Sequence, residues 1–127
     1  MRLRPTIAAG LIALVALTGA GRAVAQQADA PYDEKLMRLA EVLGSLHYLR
    51  SLCGEDNNPW RNEMQALLDA EKPDPERRAR LVARFNHGYR SFWSVHVQCT
   101  DTAVAAIDRY MAEGAKLSGE IIARYSN

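Results

Sequence analysis

The chain contains 127 residues, with 16 lysines and arginines against 15 aspartates and glutamates, and a formal net charge of +1. A chain of this length is expected to form one small domain. Its balanced charge argues against bulk electrostatic binding to nucleic acid or to an anionic membrane. Any charge-driven recognition must therefore come from a local patch of the surface.

The N-terminal segment has the pattern of a cleavable signal peptide. Arg2 and Arg4 precede an uncharged, mostly apolar stretch that leads to the small-residue cleavage site Ala23-Val24-Ala25. The uncharged stretch is shorter than the roughly 20 apolar residues that a spanning helix needs. We therefore predict export with cleavage after Ala25, and a mature chain without a membrane anchor. The predicted segments are a signal peptide at 1–25, a mobile mature N-terminus at 26–32 and a helical domain at 33–127.

Apolar residues recur at helical spacing in four segments that are separated by helix-breaking residues. Gly54 suits the position after the first helix, and Asp74 followed by Pro75 suits the start of the third. Thr100 or Asp101 is expected to cap the fourth. The predicted class is all-α: a small antiparallel bundle of three long helices and one short helix. The expected helices cover about 33–53, 60–70, 75–98 and 101–125.

Two cysteines, Cys53 and Cys99, are expected to form one disulfide, because an even number of cysteines in an exported protein usually pairs. The spacing matches neither a redox C-x-x-C motif nor a zinc site of four close ligands. Both residues are predicted at helix ends that meet at one pole of the bundle, the ends of helices 1 and 3. The bond is expected to stabilise the domain by about 4 kcal/mol.

Arg50 is predicted near the middle of the apolar face of helix 1, where a buried guanidinium needs a partner. Two interpretations stay open at this point. The first is an internal salt bridge to Asp101, Asp108 or another carboxylate, or a side chain that reaches out to solvent. The second is an anion-binding arginine in a cleft.

Helix 3 carries a polar stripe opposite its apolar face, which is either an ordinary solvated surface or a docking strip for a carboxylate-rich partner. The stripe comprises Arg80, Arg84, His87 and Ser91, flanked by Arg77 and Arg90. Trp93 is expected to be a half-buried core residue at the edge of the apolar face, whereas an exposed tryptophan there would mark an interface. The candidate binding residues are Arg50, Trp60, Arg61, Arg84, His87 and Arg90.

No catalytic residue, metal or cofactor is predicted. The three histidines lack ligand spacing, and no nucleophile motif, phosphate loop or haem-attachment motif is present. An enzyme assembled from arginines and carboxylates in space, as in secreted helical chorismate mutases, stays an alternative.

Five segments of the chain carry a resemblance: 43–50 (LGSLHYLR), Cys53-Gly54, Trp60-Arg61, 85–90 (FNHGYR) and Cys99-Thr100. They resemble a family of small exported proteins from alphaproteobacteria that is catalogued as a domain of unknown function. The resemblance covers about residues 32–125, and it implies a periplasmic location in a Gram-negative cell with no assigned reaction. An architectural likeness to acid-protective periplasmic chaperones is weaker.

The sequence therefore predicts a non-catalytic accessory or adaptor protein that binds another component of the cell envelope, either a protein or peptidoglycan. One alternative is a disulfide-stapled periplasmic chaperone or stress protein. Another is a small secreted helical enzyme with an arginine-lined pocket. The oligomeric state does not follow from the sequence.

Overall fold

The computed structural model describes residues 30–55, 57 and 59–125, and these residues form four α-helices without a β-strand. The all-α prediction is confirmed for this part of the chain, whereas the predicted signal peptide and residues 26–29 of the predicted mobile N-terminus lie outside it. None of the four helices combines the length and apolar character needed to cross a bilayer. The helices are α1 (Asp33–Leu52), α2 (Pro59–Glu71), α3 (Pro75–Trp93) and α4 (Asp101–Tyr125).

The predicted helix caps are confirmed. The Asp74 side chain accepts a hydrogen bond from the backbone N–H of Arg77 at 2.7 Å, and Pro75 occupies the first turn of α3. Gly54 has a φ of +94°, the left-handed conformation that glycine adopts readily after a helix. The Thr100 hydroxyl accepts from the backbone N–H of Ala103 at 3.2 Å and so caps α4.

Helix α1 lies at the centre of the fold and packs against each of the other three helices. Its buried residues lie on several sides of the helix, as expected for a helix that is surrounded by others. One core cluster joins α1 to all three neighbours, and a second joins it mainly to α4. The buried members of the first are Leu36, Ala40, Leu43, Met64, Leu68, Leu81 and Ile121, and those of the second are Val42, Leu46, Leu49, Ala103, Ala106 and Ile107.

The side-chain contacts give the direction of the helices around α1. Asp33, the first residue of α1, bonds Arg77 in the first turn of α3. Tyr48, near the end of α1, meets Tyr89 in the later part of α3 with ring centroids 5.2 Å apart. Helix α3 is therefore parallel to α1. Helix α4 runs in the opposite direction, since the disulfide ties the segment before α4 to the end of α1, and Lys35 near the start of α1 bonds Glu120 near the end of α4.

Helices α1 and α3 touch through two buried glycines. A Cβ added to Gly44 would overlap the backbone carbonyl of Phe85, and a Cβ added to Gly88 would overlap the carbonyl of Glu41. Only glycine lets two helix backbones approach this closely. The neighbouring hydroxyl of Ser45 is buried, and it donates to the carbonyl oxygen of Glu41 at 2.9 Å.

The predicted end of helix 3 near Gln98 is wrong, because α3 stops at Trp93. The β-branched residues Val95 and Val97 disfavour a continued helix. The Tyr48 hydroxyl donates to the backbone carbonyl of His96 and holds this segment against α1. The connection between α3 and α4 is therefore irregular, and its first half carries exposed valines.

The disulfide between Cys53 and Cys99 is confirmed, with the two Cα atoms 4.9 Å apart. Cys53 directly follows α1, as predicted. Cys99, however, lies in the connection that precedes α4 rather than at the end of α3. The disulfide therefore fixes the start of α4 to the end of α1.

The glycine contact gives a test of this packing. Gly44→Ala is expected to lower the free energy of unfolding by about 1–3 kcal/mol, the usual cost of overpacking, despite the gain in helix propensity. Gly119→Ala in α4 is the matched control, because nothing lies within 4 Å of its added Cβ. The control is expected to be neutral or up to about 1 kcal/mol more stable. Urea unfolding of the oxidised proteins measures both, and equal stability of the two variants would contradict the backbone contact.

Candidate functional site

Arg50 is bonded within its own chain. Its Nε donates to Oε2 of Glu55 at 2.7 Å, and Trp60 Nε1 donates to the same oxygen at 3.1 Å. The guanidinium carbon lies 5.9 Å from the centroid of the Trp60 ring. The expected internal salt bridge is therefore present, with Glu55 rather than Asp101 or Asp108. The Arg50 side chain is 38% exposed at the helix end, which also agrees with the interpretation that it reaches out to solvent.

The hydrogen bond between Arg50 and Glu55 also shifts the pKa values of both side chains. Donation by Arg50 lowers the pKa of Glu55 below its usual value, and the Trp60 N–H adds to this effect. The same bond raises the pKa of Arg50. This cluster joins the end of α1 to the start of α2.

Arg84 and His87 face a carboxylate of α1. Arg84 Nη1 lies 3.6 Å from Glu41 Oε2, and His87 Nε2 lies 3.9 Å from Glu41 Oε1. Arg38, one turn before Glu41, adds a third contact at 3.2 Å. Part of the positive charge of the predicted stripe is therefore balanced within the protein.

Arg77, at the edge of the same stripe, has a structural role. Its Nε donates to Asp33 Oδ1 at 3.0 Å, and its Nη2 donates to Glu71 Oε2 at 2.8 Å. All three side chains are largely buried, and the hydrogen bonds raise the pKa of Arg77. Tyr32 donates to the same Glu71 oxygen at 3.2 Å. This network joins the starts of α1 and α3 to the end of α2.

A cleft of about 340 Å³ lies between α2 and α3, and the side chain of His47 from α1 contributes to its lining. The His47 ring packs at 5.6 Å from the Phe85 ring and at 5.4 Å from the Tyr89 ring, measured between centroids. We call this cleft the α2–α3 groove. Its lining residues are His47, Arg61, Met64, Gln65, Leu68, Arg78, Val82, Phe85, Asn86 and Tyr89.

The lining of the α2–α3 groove includes two arginines and no aspartate or glutamate. Arg61 and Arg78 are both exposed, and within residues 30–125 as described neither forms an ion pair. They differ in this respect from Arg50, Arg77 and Arg84. A guanidinium presents several fixed N–H donors that match a carboxylate, so this groove is suited to an anionic ligand.

Of the six predicted binding residues, only Arg61 lines the α2–α3 groove. Arg50 and Trp60 form the cluster around Glu55, and Arg84 and His87 lie around Glu41. Arg90 is exposed in the last turn of α3, outside both groups. The six predicted binding residues therefore do not form one site in the structure.

Sequence reasoning missed Arg78 and Asn86 as members of a site. These residues follow helical spacing with Val82 and Tyr89, and so form one face of α3. That face lies between the predicted core face and the predicted polar stripe. The periodicity was available in the sequence, but it does not reveal that α2 covers one edge of this face.

A second surface feature lies at the end of α3. Trp93 is 62% exposed, so its predicted half-burial is wrong. Val95 and Val97 are 69% and 81% exposed in the following connection. We call these three exposed apolar residues, which lie within five positions of one another shortly before Cys99, the exposed apolar patch.

Across the described residues, no group of three or more His, Cys, Asp or Glu side chains is arranged to hold a metal ion. The candidate binding surfaces are the α2–α3 groove and the exposed apolar patch.

Fold and surface together define a small disulfide-bonded helical protein with a cationic groove. The chain belongs to the family described as "Protein of unknown function (DUF2385)", whose sequence profile matches residues 31–125. No curated protein and no solved structure matches the chain.

The ion pair at Glu55 gives a pH-dependent test. Because folding lowers the pKa of Glu55, its stabilisation is present above the unfolded pKa, near 4.5, and is lost as the pH falls through the folded value. The Tm difference between the unmodified protein and Glu55→Gln is therefore expected to be largest near pH 7 and to shrink below pH 4.5. Glu63→Gln, an exposed change on α2, controls for net charge. A difference that stays constant from pH 7 to pH 3 would contradict this role.

Proposed function

We propose that the protein is a non-catalytic accessory or adaptor protein of the periplasm that binds a carboxylate-bearing component of the cell envelope, either a protein or peptidoglycan. The binding site in this proposal is the α2–α3 groove. The observation that carries it is the presence of Arg61 and Arg78 in a groove whose lining contains no carboxylate.

A periplasmic location is supported by two features of the chain. The N-terminal segment has the pattern of a secretory signal peptide. The disulfide between Cys53 and Cys99 is of a kind that persists in oxidising compartments.

An antiparallel bundle supplies a rigid scaffold for this proposal. Helix α1 is held by α3 through the glycine contact and by α4 through the disulfide. Helix α2 is fixed at both ends, by Trp60 bonding Glu55 and by Glu71 bonding Arg77. Both walls of the groove are therefore anchored, which lowers the entropic cost of binding a ligand.

The arginines and the amides that line the groove are suited to ligand binding. Arginine stays protonated at all physiological pH values and offers only donors, so it orients an anion without exchanging protons. The amides of Gln65 and Asn86 likewise hydrogen-bond without titrating. This composition suits recognition of carboxylate and amide groups.

A chaperone is the second candidate, and the exposed apolar patch supports it. Trp93, Val95 and Val97 are the kind of side chains that bind unfolded clients. A chaperone would suppress aggregation of several unrelated client proteins, and replacement of Trp93 by Ser would weaken that protection. A discrete set of partners that survives Trp93→Ser favours the adaptor.

In-cell crosslinking of the tagged protein, followed by mass spectrometry, tests the proposed adaptor. Capture of one or two discrete envelope proteins, or of wall fragments, is expected. The double variant Arg61→Glu/Arg78→Glu is expected to reduce that capture at least tenfold, because two cations that pair with the partner become like charges. Arg109→Glu/Lys116→Glu, an equal charge change on exposed positions of α4, is the control.

Both double variants should keep a Tm close to that of the unmodified protein, since none of the four side chains forms an ion pair within the described residues. Full capture by Arg61→Glu/Arg78→Glu would contradict the groove as the site. Loss of capture confined to Arg84→Glu/Arg90→Glu would place binding on the outer stripe of α3 instead.

A further inference from the structure

The two arginines of the α2–α3 groove lie at opposite ends of it. Arg78 follows Arg77, which bonds Asp33 at the first residue of α1. Arg61 follows Trp60, which bonds Glu55 beyond the last residue of α1. Arg78 therefore lies at the end of the groove that is nearer the start of α1, and Arg61 lies at the end that is nearer the end of α1.

The helix geometry gives the offset between the two arginines. Helices α2 and α3 are joined by residues 72–74 and run in opposite directions. Arg61 and Asn86 lie at nearly equal distances along the chain from that connection, so they are level with each other. Asn86 is eight residues after Arg78 in α3, and a helix rises 1.5 Å per residue. The backbone positions of the two arginines are thus offset by about 12 Å along the helix axes.

The middle of the groove has the character of a peptide site. Its lining includes the apolar side chains of Leu68, Val82 and Phe85. Gln65 and Asn86 add side-chain amides to the lining. Gln65 Nε2 donates to Asp69 at 2.9 Å, which leaves its carbonyl oxygen as an acceptor. Amide donors and acceptors beside apolar side chains match the alternating groups of a peptide backbone.

We propose that the groove binds an extended acidic segment of a partner protein, in which two carboxylates stand about four residues apart. An extended chain advances about 3.3 Å per residue, so four residues span about 13 Å and match the offset of the two arginines. Side chains four residues apart also project from the same side of an extended chain. This inference rests on the proposed function, because it names the ligand of the same groove.

Isothermal titration calorimetry of the purified, disulfide-bonded protein with two blocked pentapeptides tests the spacing. The first is acetyl-Glu-Ala-Ala-Ala-Glu-amide, and the second is acetyl-Glu-Glu-Ala-Ala-Ala-amide. The peptides have the same composition and charge, and both are too short to form stable helices. At low salt the first peptide is expected to bind at least tenfold more tightly than the second.

Single variants test the contribution of each arginine to the preference for the first peptide. Arg61→Gln and Arg78→Gln are each expected to reduce the preference for the first peptide to less than twofold, because one end then lacks its cation. Lys116→Gln, an exposed change on α4, is expected to keep the preference. A preference that survives both arginine variants would overturn the inference.

The outcomes separate this inference from the proposed function. Equal binding of the two peptides, lost in Arg61→Gln/Arg78→Gln, overturns the two-ended ligand and leaves an anion-binding groove. Binding of solubilised peptidoglycan fragments but of neither pentapeptide also overturns the acidic protein segment as ligand, while the adaptor proposal stands. If the double variant changes neither peptide binding nor capture in cells, both proposals are wrong.

Discussion

The direct backbone contact between α1 and α3 at Gly44 and Gly88 is the constraint on which the rest of the structure depends. Because neither residue carries a Cβ, each helix backbone lies against a carbonyl group of the other. This contact fixes how α3 is rotated about its own axis. One side of α3 then faces Glu41 of α1, and another side, with Arg78 and Asn86, borders α2. The rotation therefore decides which arginines of α3 meet carboxylates of their own chain.

The arginines of α3 fall into two groups, according to the side of the helix on which they lie. Arg77 is buried between two carboxylates, and Arg84 lies beside Glu41, so both contribute to holding the helices together. Arg78, on the side that borders α2, has no such partner within the described residues, and neither does Arg61 across the groove. Buried ion pairs stabilise a fold only when both partners are present, whereas exposed cations without partners keep their capacity to bind anions. The position of unpaired arginines, rather than their number, separates the candidate site from the scaffold.

Much of the fold could be predicted from the sequence, because helix-breaking residues and caps act locally. Asp74 with Pro75 marks the start of α3, and Gly54 marks the end of α1, whatever the rest of the chain does. The disulfide pairing followed from there being only two cysteines. The end of α3 was predicted too late, because the apolar spacing of His96 and Cys99 continued the helical pattern. In the structure the bond from Tyr48 and the disulfide hold this segment in an irregular conformation that periodicity does not show.

The candidate site was harder to predict, because a helical pattern defines faces relative to one helix and not relative to its neighbours. Arg61 was found through its aromatic neighbour, whereas Arg78 resembled any other surface arginine of α3. What distinguishes Arg78 is that the glycine contact brings its side of α3 next to α2, and this contact joins residues 44 and 88 of the chain. Both glycines were present in the sequence segments that carry the family resemblance, but as single residues they show no partner. The sequence does not show that Gly44 and Gly88 bring α1 and α3 together, and it therefore does not show that Arg78 lies beside α2.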